Sequence, residues 1–229
     1  MVSNRNLLTL LQITDSMFPT GSFVHSNGLE TYTQQDIIQD LAGLKALTEV
    51  RLLSASRSDM IFVKAAMQAA QNGDFDRLYE LDDLLCAMKT VQEVREASVK
   101  IGKQFLRSVL VLLPVRFLQE FSEDVKSGRC QGHLSVVFGV AYAVPGIDIK
   151  TALFAFTYQI VAGQASAAIK LMSVGQSQMQ TLIHDLQPAM EKAVEIALES
   201  SLEDCQSFTP ALDIRGMQHE YLFRRLFHS

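Results

Sequence analysis

The chain has 229 residues, 48% of them hydrophobic and 20% charged, with a formal net charge of -5. A chain of this length buries roughly 70% of its unfolded surface, so its core needs no staples. The acidic balance and the lack of any Lys/Arg run exclude a phosphate-tracking stripe, and no nucleic-acid partner is expected. The cysteines, Cys86, Cys130 and Cys205, are odd in number and far apart. They exclude a disulfide framework and read as reduced thiols of a cytoplasmic protein. No cleavable leader is expected, because Met1 to Asn6 carries one Arg and runs straight into an amphipathic segment.

Apolar residues recur at three- and four-residue intervals along nearly the whole chain, the helical period. Leu7, Leu10 and Leu11 begin the first stripe, which Pro19 and Gly21 end. Ile37, Leu41, Leu44 and Leu47 predict a helix over about 36–53. Ser56 and Asp59 resemble a capping box for a helix that stops at Asn72-Gly73. Two more helices are predicted over about 76–88 and 92–112, and Pro114 suits the first turn of another that stops at Gly128. Val109 to Leu113 is the one candidate strand, and it is too short to decide its state.

From Gly132 to Ala168 small residues crowd together, among them Gly139, Ala141, Ala143, Gly163, Ala165 and Ala168. They predict a central, closely packed helical hairpin, with Pro145-Gly146 as its turn and Asp148 as the N-cap of the return helix. The return segment, Thr151 to Ile169, carries no charge and is long enough to span a membrane. Its polar Thr157, Gln159, Gln164 and Ser166 favour a buried helix, so no membrane role is expected. Gly175 is predicted to stop that helix or its continuation, Pro188 to open another reaching about Leu202, and a last short helix to run from about Gly216 to Phe227. The expected fold is all-α: one compact domain over 1–229 with about ten helices, ending in a tail at about 210–229.

The inventory of reactive groups is poor. No phosphate-binding glycine loop of either common type is present, and no Gly-x-Ser-x-Gly elbow. Cys130 and His133 have ligand-like spacing, but a closed metal site needs two more ligands and none stands nearby in sequence. His25, His219 and His228 are isolated, and each reads more simply as a hydrogen-bonded structural residue. Glu80, Asp82 and Asp83 are the acids a magnesium-dependent diphosphate enzyme would use, yet Cys86 and Ala87 occupy the turn where a further acid belongs. A solvated helix face is the plainer reading, and the same holds for Glu93, Arg95 and Glu96 as a surface ion-pair set. The terminus is unusual. Tyr221, Leu222, Phe223, Leu226 and Phe227 surround Arg224 and Arg225, where a chain end is normally polar. Either the tail docks on its own core or it carries aromatic and Arg anchors for a partner.

Five blocks, in order, resemble the UreF family of urease accessory proteins. In Leu10–Glu30 a proline, a glycine, an aromatic, a serine and Gly28-Leu29-Glu30 follow the family's N-terminal signature. Arg95-Glu96-Ala97-Ser98 with Gly102 is similar to its mid-chain helix, and Gly132-His133 with Val137-Phe138-Gly139 to its central one. Ser166–Leu171 with Gly175-Gln176 resembles the next, and Met217–Glu220 with Arg225–Ser229 the closing motif. Two positions depart: Lys170 stands where many members carry Arg, and Met179 where glycine is usual. The resemblance implies an all-helical, dimeric, non-catalytic scaffold without a cofactor. It binds UreH (also called UreD) through its tail regions and recruits the GTPase UreG, which delivers nickel to apo-urease. It has also been viewed as a regulator of GTP hydrolysis. Carried onto this chain, Glu30, Tyr32 and Lys170 are candidates for the UreG side, and His219, Tyr221, Arg225 and Phe227 for the UreH side. Lys170 or Arg95 is the cation that would act in trans on the GTPase. The alternative is an all-α, magnesium-dependent enzyme that processes diphosphates.

Overall fold

Three aspartates set helix starts with their own side chains. Asp40 accepts from Gly43 N at 2.8 Å, Asp74 from Arg77 N at 3.0 Å and Asp148 from Thr151 N at 2.9 Å. The computed structural model describes residues 4–22, 25–26, 28–206, 209–222 and 225–227. The helices in order are α1 Asn4–Thr14, α2 Leu29–Gln34, α3 Leu41–Ser56, α4 Asp59–Gln71, α5 Phe75–Met88 and α6 Gln92–Leu112. There follow α7 Arg116–Ser127, α8 Leu134–Ala143, α9 Ile149–Leu171, α10 Gln176–Asp185, α11 Gln187–Glu199, a 3-10 turn at Leu202–Asp204 and α12 Pro210–His219. No strand occurs among the described residues, and the fold is all-α. The candidate strand Val109 to Leu113 is the last turn of α6 and its C-cap.

Several predicted boundaries move for identifiable reasons. α3 begins five residues late, because Asp36 sits at φ 56° and the chain re-enters helix only at the Asp40 cap. Ser56 is not a cap; it ends α3, and Ser58 precedes α4. Gly175 does not end α9, which stops at Leu171; it is the N-cap of α10. The last helix is displaced toward the N-terminus, with Pro210 in its first turn and its end at His219.

α4 runs through the middle of the core, with Met60, Ile61, Phe62, Val63, Ala66 and Met67 fully buried. The turn at 144–147 joins α8 to α9 as expected, but the close backbone approach that small residues allow is made by α8 to α4. A Cβ on Gly139 would lie 2.5 Å from Val63 O and 2.7 Å from Ala66 Cβ. α6 meets the start of α8 through Gly102, whose missing side chain leaves room for the backbone of Gly132 to Leu134. An aromatic column links the layers. Phe138 stacks on Phe105 at 5.2 Å and meets Phe156 of α9 edge-on at 5.0 Å. Tyr142 is sealed beside it, its hydroxyl 3.0 Å from Thr14 Oγ1, and burial drives its phenol pKa upward. Lys64 Nζ closes the C-terminus of α11, donating to the carbonyls of Ala197, Leu198 and Ser200. α9 is long and apolar enough to cross a membrane, yet 56% of its most apolar window is buried inside the fold. It packs against α10 and α11 on one side and α1 to α4 on others.

Candidate functional site

α2 is one and a half turns long and lies inside the molecule, with Leu29, Glu30, Thr31 and Tyr32 all buried. Its short length leaves its polar groups to find partners elsewhere in the chain, and most of these are on α12. Thr31 Oγ1 donates to Arg215 O at 3.1 Å, and Tyr32 OH donates to Ala211 O at 3.2 Å. The Arg215 guanidinium lies 5.7 Å from the Tyr32 ring centre.

Glu30 is the hub. Its carboxylate is wholly buried and faces His219 Nε2 at 2.9 Å. It accepts the backbone N–H of Leu226 at 2.7 Å, that of Phe227 at 3.2 Å and the Gln34 side chain at 3.3 Å. A buried carboxylate is tolerable only when it is satisfied in this way. A second acid stands nearby: His219 Nδ1 lies 3.4 Å from Glu93 Oε2, although the two do not form a hydrogen bond. Phe227 is buried, and Lys170 at the end of α9 places its ammonium 5.3 Å from the Phe227 ring.

Residues that the family resemblance divides between two partners thus meet in one assembly. Glu30, Tyr32, His219 and Phe227 form its buried interior. Lys170, Tyr221 and Arg225 are exposed at its surface, where Tyr221 is 83% exposed. Ile214, Met217 and Leu226 are large exposed apolar side chains on the same stretch. Phe23, Val24 and Asn27 of the N-terminal signature, and Phe223, Arg224, His228 and Ser229 of the tail, lie outside the described residues. Glu93, read from the sequence as part of a surface ion-pair set, is three-quarters buried here. The only sequence signal for this role was its place on the apolar flank of an amphipathic helix.

The other sequence candidates have structural work. Asp82 is not on a solvated face. It is fully buried and accepts three backbone N–H groups, from Gln131 at 2.5 Å, Gly132 at 3.0 Å and His133 at 2.7 Å. Glu80 pairs with Arg77 at the surface at 2.7 Å, and Asp83 is exposed, so the three acids do not converge. Burial beside Asp82 pushes the Cys130 thiol up to about 12, which leaves it protonated and a poor ligand. His133 Nδ1 shares a hydrogen bond with Ser98 Oγ at 3.1 Å. Among the described residues no group of three or more His, Cys, Asp or Glu could hold a metal ion. Arg95 donates to the Lys89 carbonyl at 2.7 Å and so holds the turn between α5 and α6.

The family model described as UreF matches residues 38–187. The chain belongs to the UreF family. It is 34% identical to the urease accessory protein UreF of Haemophilus influenzae (strain PittEE), over 99% of this chain and 98% of that one. It is 34% identical to UreF of Actinobacillus pleuropneumoniae serotype 5b (strain L20) over 96% and 97%, and 31% identical to UreF of Bacillus sp. (strain TB-90) over 97% and 99%. The UreF model match ends at the start of α11, whereas the Glu30 cluster is completed by α12 and the tail. The full-length UreF relatives align across that stretch as well.

Proposed function

We propose that this UreF-family chain is a non-catalytic scaffold in urease maturation. It binds UreH/UreD, recruits the GTPase UreG and so brings nickel to apo-urease. Its tail, about 210–229, is the principal docking element, and the chain works as a homodimer. The observation that carries this reading is the Glu30 cluster. A satisfied buried carboxylate holds the terminal segment in place, and that segment turns apolar and cationic side chains outward. Exposed aromatic, aliphatic and Arg side chains on an anchored segment are what a protein partner recognises. Lys170, exposed beside Phe227, is the cation suited to reach the GTPase.

The test is co-expression of the chain with UreH/UreD, UreG and apo-urease, followed by co-purification and a urease assay. Deletion of residues 216–229 should abolish capture of UreH/UreD and leave urease inactive. Full capture by the deleted chain would refute the docking role of the tail. Lys170→Ala should leave capture intact and slow GTP hydrolysis in the assembled complex; unchanged hydrolysis and unchanged activation would remove Lys170 from the mechanism.

A further inference from the structure

Arg51 lies on α3 at the flank of a face that buries Leu44, Leu47, Thr48, Leu52 and Ala55. Its Nε is sealed from solvent and has no hydrogen-bond partner. Among the described residues no carboxylate pairs with it. The guanidinium reaches into the junction of α2, α3 and α12. A Cβ placed on Gly28 would lie 3.7 Å from Arg51 Nη2, 3.8 Å from Gly216 N and 3.9 Å from Arg215 C. Burial pushes its pKa down to about 10, and the Tyr32 phenol is the acidic group that acts on it. Arg215 brings a second guanidinium to the same ring.

Although its Nε is sealed, the residue as a whole is half-buried, so a partner can reach the fork; a cation desolvated to this extent without a counter-charge is a cost to the isolated fold. The Glu30 and Asp82 carboxylates, by contrast, each collect several donors. Arg51 has no counter-charge of its own among the described residues, and a planar guanidinium fork is shaped to take a carboxylate through two parallel hydrogen bonds. The exposed Ile214 and Met217 on neighbouring α12 offer the apolar contact that a docking protein covers. We propose that Arg51 is the receptor for an acidic side chain of a protein partner that docks beside α2 and α12. The proposal rests on the scaffold reading above and specifies the chemistry of its contact.

The experiment compares the full-length chain with Arg51→Met and Arg51→Lys, each co-expressed with UreH/UreD and UreG, and melts each free chain. Arg51→Met keeps the apolar stem and removes the charge. It should raise the Tm of the free chain by about 2–4 °C and reduce partner capture at least tenfold. Arg51→Lys should recover only part of that capture, since it restores the charge without the fork. A second measurement needs no partner. Sodium acetate should raise the Tm of the wild-type chain above its value in sodium chloride of equal ionic strength, and should not do so for Arg51→Met. An equal response of the two chains to acetate overturns the proposal, as does a larger response of the wild type to inorganic phosphate. A wild-type chain that captures neither partner overturns the scaffold reading and the receptor with it. Normal capture by Arg51→Met overturns the receptor alone.

Discussion

Glu30→Gln tests the central cluster with almost no change of shape. The native carboxylate offers Oε1 to Leu226 N and Gln34, and Oε2 to His219 and Phe227 N. An amide has one acceptor, so one of these two pairs meets an NH2 donor head-on whichever way the side chain turns. Hydrogen bonds to a charged acceptor are worth about 1.5–3 kcal/mol each. Losing two takes roughly 3–6 kcal/mol from the closed tail, before relaxation and water recover part of it. A residual loss of about 3 kcal/mol corresponds to a change of roughly 100-fold in the opening equilibrium. The assay is native-state hydrogen exchange at the Leu226 and Phe227 amides, with the α4 amides as a reference. Tail protection should fall about 100-fold while α4 protection changes little, because local opening need not unfold the core. Capture of UreH/UreD should fall in parallel. Tail protection within threefold of wild type would refute the claim that Glu30 anchors the segment.

Four further outcomes are expected. Gly139→Ala drives a methyl into the α4 backbone at Val63 O, 2.5 Å away; it should cost about 3 kcal/mol or more in urea unfolding, since neither helix can yield. Asp82→Ala strands three amide donors at the start of α8 and should cost about 3–5 kcal/mol by the same assay, whereas a magnesium ligand at this position would leave stability nearly unchanged. His133 should make the fold acid-sensitive. Burial lowers its pKa from 6.5, so the native state holds the neutral ring. Its contribution is therefore complete above 6.5 and is lost as pH falls through the lower folded value. Urea titrations from pH 8 to 5 should show a decline that His133→Phe removes. Asp59 acts in a more acidic window. Burial alone would raise its carboxyl, but Lys89 at 2.9 Å and Ser135 outweigh this and hold it below 3.8, so its share of stability fails only beneath that value.

The sequence was most readable where local chemistry decides the backbone. α6 runs over the predicted residues 92–112, the turn at Pro145-Gly146 forms, and Asp148 caps α9. The tail was misread because its apolar spacing suits a helix. The amides of Leu226 and Phe227 would be needed for that helix, and they are spent on Glu30. No local pattern announces a bond between residue 30 and residue 227. Asp82 was misread for a related reason. Its donors are backbone amides, which carry no residue identity and leave no mark in the spacing of side chains. The family resemblance names members of the Glu30 cluster that no local pattern singles out. It could not say that residues assigned to two partners share one buried centre, and it passed over Arg51.

The position of α9 in the chain has a consequence for biosynthesis. Its uncharged segment, residues 151–169, is flanked in space by α10 and α11, which leave the ribosome after it. A nascent chain can cover this long apolar helix with α1 to α4, but the side that meets α10 and α11 stays open until residue 199 has emerged and folded back. Exposed surface of that kind invites self-association during synthesis. Chains that stall between Leu171 and Glu199 are the ones that need a holding chaperone, and slow codons over α10 and α11 would lower the yield of folded protein more than the same codons placed before α9.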